Sequence, residues 1–371
     1  MKKYLCVEEC CDILDSQRVP VTASDRTSGI YPYYGANGVQ DYVSDYIFDD
    51  ELILVAEDGG HFGEKGKPIA YRVSGKCWVN NHAHVLKPKV GFDIDYICYS
   101  LMFYDTSSII NGSTRQKLNQ AQLKKMKIPV LPLEEQVIRK SAIKNIFDSI
   151  ELKKRQLQSF DSLVKSRFME MFPDWDLSLQ KANWIELKAL TKIYTGTTPK
   201  TEQKDYWNGD IPWVTPAELN SDSYIVSDTE RHLTEAGRAS KSLSLMPVGT
   251  VLLTTRAPIG KVAICGVPMA CNQGFKNFEC GSELNPTFLY VLLKLNVEWL
   301  QSQGTGTTFK EISKTKAEGI KISVPRIEYQ VAFENFYKLI DKSRFIVQSQ
   351  IKDLQELLDS KMDEYFGGDE G

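Results

Sequence analysis

The chain repeats itself. Residues 112–136, GSTRQKLNQAQLKKMKIPVLPLEEQ, align without gaps on residues 306–330, GTTFKEISKTKAEGIKISVPRIEYQ, at an offset of 194. The alignment continues to Phe172 and Phe366 and holds 16 identities in 61 positions, several times chance. Two copies of one unit, each of about 180 residues, restrict the chain to folds made of two like halves. At 371 residues a sizeable core is affordable.

Each copy ends in a heptad pattern. In the first, Ile143, Ile146, Ile150, Leu157, Phe160, Val164 and Met171 follow alternating steps of three and four, with Lys153 and Arg167 as polar exceptions. In the second, Tyr337, Ile340, Val347, Ile351, Leu354, Leu358 and Tyr365 keep the frame, and Arg344 and Lys361 interrupt it. Neither segment contains Pro or Gly, and each follows a proline, Pro132 or Pro325. The pattern predicts helices over 134–172 and 328–366, each roughly 55 Å long, that pack on each other. The pairing is antiparallel if the copies face opposite ways. Ile146, Ile150, Leu157, Phe160, Ile340, Ile351, Leu354 and Leu358 are the expected packing residues.

The rest of each copy is rich in Tyr, Phe, Val, Ile, Gly and Pro in short runs. ELILVAEDGG, PIAYRV, KCWVNNHAHVLKP, TVLLTTRAPIG, KVAICG and NFEC read as strands with turns between them. Short helices are expected at Asp95–Tyr104 and Pro286–Gln301. The fold class is α+β: a module over 1–133, a helix over 134–172, a linker over 173–183, a second module over 184–327, a helix over 328–366 and a tail over 367–371.

Enzymatic chemistry is thin. No P-loop and no dinucleotide fingerprint occurs. The net charge of −3 argues against a free-standing, charge-driven nucleic-acid binder. Eight cysteines without a CxxC, two of them adjacent at Cys10 and Cys11, point to free thiols in a reducing cytosol. No apolar run approaches the ~20 residues of a membrane span. HAH at 82–84 would set both imidazoles on one face of a strand, without an acidic or cysteine ligand beside them in sequence. Glu57 and Asp58 pair two carboxylates, with no neighbouring lysine to complete a nuclease pattern. No catalytic centre, cofactor or metal is expected.

What remains is a contact surface of glycine-bearing loops: YYGANG at 33–38, NGSTRQK at 111–117, TTRAPIG at 254–260, CNQGF at 271–275 and GTGTTFK at 304–310. Asn, Gln and Arg can read base edges, while Ser, Thr, Lys and amides near glycines hold phosphates. The expected DNA contacts are Asn37, Asn81, His82, Thr114, Arg115 and Lys117 in the first copy. In the second they are Thr198, Lys200, Thr215, Arg256, Asn272, Gln273, Thr307 and Lys310. Residues 195–216 hold three prolines and two tryptophans. They read as a stiff frame with a turn at Asn208–Gly209, either presenting Thr197, Thr198, Lys200 and Thr215 or only bracing the fold.

TGTTPKTEQKDYWNGDIPWVTPAEL resembles the start of a target recognition domain of type I restriction–modification specificity subunits. So does YPYYGANGVQDYVSDYIFDDELILVAEDGG with WVNNHAHVL, while KIPVLPLEEQ and KISVPRIEYQ resemble that family's passage into its spacer helices. NPTF at 285–288 is similar to an amino-methyltransferase signature but has Thr in third place, and it reads as a helix cap and start. The specificity-subunit resemblance implies a non-catalytic, cytoplasmic chain that binds double-stranded DNA. Each domain would read one half of a bipartite site, and the helices would set the spacing. They would also dock two modification subunits, which carry S-adenosylmethionine, and restriction/translocase subunits would join them. The alternatives are a self-sufficient methyltransferase or nuclease with divergent motifs, and a coiled-coil scaffold.

Overall fold

The computed structural model describes residues 3–110, 116–220, 223–256, 258–306 and 310–367. It divides into two compact units, Met1–Lys154 with Gln348–Gly371, and Arg155–Val347. Thr114, Arg115 and Thr307 lie outside the described residues.

The first unit is built on six strands in the order Cys11–Ile13, Ala83–Pro88, Phe48–Ala56, Ala70–Val79, Ser28–Gly35, Gly38–Val43. Leu52 to Ala56 are all buried, so this stretch reads as a continuous apolar run and not an alternation. The pairing of Ser28–Gly35 with Ala70–Val79 is parallel, Tyr33 facing Trp78; the other pairings are antiparallel. The helix Ile94–Met102 packs on this sheet, its start fixed by the Asp93 carboxylate, which accepts from the amides of Asp95 and Tyr96. Strand Lys3–Cys6 pairs with Lys127–Val130, just before the first long helix, Leu133–Met171.

The second unit holds a five-stranded sheet in the order Thr191–Thr195, Lys276–Cys280, Val251–Leu253, Val262–Cys265, Ile225–Val226. Beside it runs a three-stranded one, His232–Leu233, Trp207–Val214, Ala270–Cys271. Ile185–Glu186 pairs with Lys321–Ile322, just before the second long helix, Ile327–Phe366. Asn285 caps the helix Pro286–Leu295 by accepting from Thr287 and Phe288 amides, the cap and start expected there.

Two local expectations change. The single helix expected over Pro286–Gln301 is two, Pro286–Leu295 and Val297–Gln303, broken at buried Asn296. Its Nδ2 donates to the carbonyls of Trp175 and Leu292, both at 2.9 Å, and its Oδ1 accepts from Leu177 N–H at 2.9 Å. The side chain thus anchors the stretch around buried Leu177. Asn208–Gly209 is no turn; it is a bulge inside strand Trp207–Val214, where Trp207 and Ile211 both face Leu233. Asn208 takes the left-handed φ of 62° that asparagine tolerates.

The long helices pair antiparallel in both units. In the first, Ile143, Ile146 and Ile150 cluster with Leu358 and Met362, flanked by Ile351, Leu354 and Phe366. In the second, Val164, Phe168 and Phe172 cluster with Phe333 and Tyr337, with Ile340 packed alongside. Early turns of one helix therefore meet late turns of the other. The strict heptad slips toward its end: Phe168 and Met362 are buried beside the frame positions Arg167 and Lys361, and Phe172 is buried beside half-buried Met171. A helix turning every 3.6 residues drifts about 20° per heptad, so the seam moves to a neighbouring residue after four heptads. Leu157 and Phe160 are only half-buried. Arg344 interrupts the seam without being left unpaired, because it bonds Asp161 on the other helix and reaches the Tyr337 hydroxyl at 3.4 Å. Among the described residues no helix is long and apolar enough to cross a membrane.

Candidate nucleic-acid interface

In each unit, loops distant in sequence converge on one edge through the same hydrogen bonds. Asn80 N–H donates to the Tyr34 carbonyl at 3.1 Å; Asn272 N–H donates to that of Val214 at 3.2 Å. Asn80 Oδ1 accepts from His82 N–H at 2.8 Å, and Asn272 Oδ1 from Gly274 N–H at 2.8 Å. Glu57 N–H donates to His82 O, and Thr255 N–H to Gly274 O, at 2.8 and 2.7 Å. Leu118 N–H donates to Glu57 O, and Ile312 N–H to Thr255 O, at 2.8 and 3.0 Å. These bonds extend the duplication over the sheets, where the sequences have diverged.

The side chains on this frame differ. In the first unit Asn37 is exposed and donates through Nδ2 to Gly59 O at 2.9 Å. Asn81 is exposed in the turn before strand Ala83–Pro88. His82 also precedes that strand and bonds Asp58 through Nδ1. Lys117 Nζ lies 3.1 Å from Glu57. So Asn37, Asn81, His82 and Lys117 gather at one edge.

The two histidines do not share a strand face, and acids do stand beside them. His84 is 1% exposed, with Nδ1 2.6 Å from Asp15 and Nε2 2.8 Å from the Leu118 carbonyl. Asp15, Glu57 and His84 could in principle hold a cation. Arg18 already occupies that place, 2.7 Å from Glu57 and 3.5 Å from Asp15. The cluster is an ion-pair network. Burial works to raise the Asp15 carboxyl, but the hydrogen bond and charge of His84 and the Val85 amide outweigh it and hold it below its ordinary value. Glu57 is likewise held low against burial by Arg18 and Lys117. Lys117 supplies the lysine missing from the sequence around Glu57 and Asp58. Glu57 thus meets Arg18 and Lys117, and Asp58 meets His82.

In the second unit the tryptophans explain the segment 195–216. Trp213 Nε1 donates to Thr197 O at 3.2 Å and Trp207 Nε1 to Lys200 O at 3.1 Å. The rings pack edge-on at 5.1 Å, with the Arg231 guanidinium 3.5 Å over Trp207. Gly196 passes so close to strand Ala270–Cys271 that an added Cβ would lie 1.9 Å from Cys271 O. Thr198 and Lys200 are therefore held on a backbone pinned at both ends. Thr198 donates to Gln273 Oε1 at 2.8 Å, joining two expected contact residues. Thr215 spends its hydroxyl on Glu218 at 2.8 Å. Arg256 Nε lies 2.9 Å from Glu311, which also faces buried Lys276 at 3.4 Å. Lys310, next to Glu311, is exposed.

Residues missed from sequence are Arg18, Asp15 and His84 in the first unit and Lys276, Glu311 and Arg231 in the second. His84 and Lys276 were the detectable signal, each a basic side chain buried at the start of a strand, Ala83–Pro88 or Lys276–Cys280. Buried Gln136 and Gln330 were also missed. Gln136 Oε1 accepts from Asp93 N–H at 2.9 Å and its Nε2 donates to Leu131 O at 2.7 Å. Gln330 Oε1 accepts from Asn285 N–H at 2.8 Å and its Nε2 donates to Pro325 O at 2.6 Å. Each glutamine ties the first turn of a long helix to the cap of its module's helix.

The family model described as the type I restriction modification DNA specificity domain matches residues 2–159 and again 181–354. The type I restriction enzyme MjaIX specificity subunit of Methanocaldococcus jannaschii is 38% identical over 173 residues, 45% of this chain and 40% of that protein. The match to a putative specificity subunit of Haemophilus influenzae, also 38% identical, spans 35% of this chain and 33% of that protein. The type I restriction enzyme EcoR124I/EcoR124II specificity subunit of Escherichia coli is 24% identical over 95% of this chain and 86% of its own length. The crystal structure of the S subunit of a type I restriction–modification system from M. genitalium shares the fold, with a TM-score of 0.60 at 15% identity over 99% of this chain and 96% of that one. With two copies of the module, a long helix after each and the family model matched twice, this chain belongs to the type I restriction–modification DNA specificity family.

Proposed function

We propose that the chain is the non-catalytic, sequence-reading subunit of a type I restriction–modification complex acting on double-stranded DNA in the cytoplasm. Modules over 1–133 and 184–327 each read one half of a bipartite, asymmetric site. Helices over 134–172 and 328–366 set the spacing between half-sites and dock modification subunits, with 173–183 as linker. Restriction/translocase subunits complete the assembly. The observation that carries this reading is the repeated edge: one hydrogen-bonded frame presents Asn37, Asn81, His82 and Lys117 in one unit and Thr198, Gln273, Arg256 and Lys310 in the other. A shared frame with different exposed donors and acceptors suits two readers of different sequences. Arg256, Lys200 and Lys310 make the second edge the more basic, consistent with phosphate contacts there.

Two modification subunits are supported by exposed apolar residues that recur at the same helix positions: Val137 and Val331, Leu152 and Ile346, Leu163 and Leu357. Apolar groups left in water at matching places suit two like docking surfaces.

Methylation mapping of host DNA with and without the chain tests the function. The expected result is a bipartite motif that disappears with the chain. Exchange of residues 184–305 for a homologous module changes one half-site and leaves the other; a change in both defeats independent reading. Binding of S-adenosylmethionine with methyl transfer by the purified chain alone would instead establish a self-sufficient enzyme.

A further inference from the structure

One copy serves as a template for the other. In the first unit Tyr99 and Phe103 project from helix Ile94–Met102 and its end onto the long helices. Tyr99 stacks on Phe147 with ring centroids 5.7 Å apart, and all three rings pack against the cluster of Ile143, Ile146, Ile150, Leu358 and Met362. The caps Asp93 and Asn285 and the offset of 194 between helices identify the counterparts as Val291, Leu295 and Asp341. Two rings are replaced by smaller aliphatic groups and the third by a carboxylate.

The space they vacate is present in the second unit as a cavity of about 410 Å³. Its apolar lining is Val164, Val291, Leu295 and Tyr337, and its polar rim carries Asp161, Ser162, Lys165, Lys294 and Arg344. Arg344 is spent on Asp161 and the Tyr337 hydroxyl, and Lys294 Nζ reaches the Tyr290 hydroxyl at 3.4 Å. Lys165 is exposed. Exposed Leu163, Phe345 and Ile346 adjoin the lining residues in sequence; Leu163 and Ile346 have apolar counterparts in Leu357 and Leu152, whereas Phe345 has Glu151, so of the three Phe345 is specific to this surface. An apolar hollow bordered by exposed apolar side chains marks a macromolecular contact.

We propose that this cavity receives a side chain from a modification subunit: an aromatic ring carried beside a carboxylate. The ring takes the place that Tyr99 and Phe103 fill in the first unit, and the carboxylate faces Lys165 and Lys294. The inference rests on the function proposed above. It makes the two docking surfaces unequal, with the second offering a socket that the first lacks.

The test titrates the full chain with the modification subunit, read by mass photometry. Val291→Tyr with Leu295→Phe fills the socket as the first copy does, and Lys165→Glu with Lys294→Glu reverses its rim while leaving it open. Thermal unfolding checks that both pairs fold. The wild type is expected to bind two modification subunits. Each variant is expected to bind one as before and the other at least about tenfold more weakly. If both variants fold and bind two subunits with unchanged affinity, the socket has no role and the inference is overturned alone. A wild-type chain that binds no modification subunit overturns it together with the proposed function.

Discussion

The two copies agree in backbone and disagree in charge. Where Glu57 meets Lys117 in the first, Arg256, the residue after Thr255, which is the Glu57 counterpart, meets Glu311 in the second, and residue 311 is the counterpart of residue 117. Where the Asp93 cap meets Lys140 at 2.6 Å, the Asn285 cap donates to Glu334 at 2.8 Å, and residue 334 is the counterpart of residue 140. Ile150 in one seam stands where Arg344 bonds Asp161 in the other. A backbone hydrogen bond requires one geometry, so the frame persists. An ion pair requires only opposite signs, so the signs can exchange if both partners change together. Side chains within each copy are thus matched to one another more closely than to their counterparts.

The largest expected effect tests the seam. Phe168 is fully buried against Phe172, Phe288 and Phe333, and Phe168→Ala should cost about 4 kcal/mol in the second unit. Its counterpart Met362 sits in a smaller cluster, and Met362→Ala should cost about 2 kcal/mol in the first. Denaturant unfolding followed by the tryptophans of the second unit and by Trp78 of the first separates the two; equal losses would mean the seams pack alike.

Next comes the frame. Gln330→Leu leaves Asn285 N–H and two carbonyls without their partner and should cost about 3 kcal/mol, with Gln136→Leu within about 1 kcal/mol of it. A difference much larger than that in the same measurement would break the claim of a common frame.

A smaller effect tests the exchanged signs. Lys140→Glu sets a third carboxylate beside Asp93 and Asp95 and should cost about 2 kcal/mol. Adding Asp93→Asn recreates the pair of the second copy, keeps a helix cap and should recover about half of the loss. If the double variant is no more stable than Lys140→Glu alone, pairwise matching is not what holds these positions.

The smallest effect, absent at neutral pH, concerns acid. Asp15 and Glu57 have folded pKa values below their ordinary 3.8 and 4.5. Such groups stabilise the fold above the unfolded value, and the contribution is lost as pH falls through the folded one. Protection against amide exchange, relative to the unfolded chain at the same pH, should therefore fall around Ala83–Pro88 from about pH 4.5 downward, before the strand Lys276–Cys280 responds. Simultaneous loss in both strands would remove the distinction.

Much of the fold was legible in the residues. The offset of 194 gave the duplication, and the absence of Pro and Gly after Pro132 and Pro325 gave both long helices. Asn285–Pro286 announced its cap. Other features misled. Asn208–Gly209 carries a turn signal but bulges because Leu233 faces two residues of the same strand. Asn296 breaks a helix that its apolar neighbours would continue, because its amide secures Trp175 and Leu177. At the edge, the loops were visible as glycine-bearing stretches. Their pairing, Thr198 with Gln273 and Lys117 with Glu57, was not, since each pair joins segments far apart in the chain.

The order of residues alone determined what depends on neighbours along the chain: helical and extended periods, caps and the repeat itself. These follow from backbone geometry, which acts over a few residues. Only the folded arrangement decided which charges meet, which carboxylates are spent, and that rings close a hollow in one unit and leave it open in the other. Such outcomes depend on volumes and signs contributed by three separate elements, and no local rule sums them before the chain has packed.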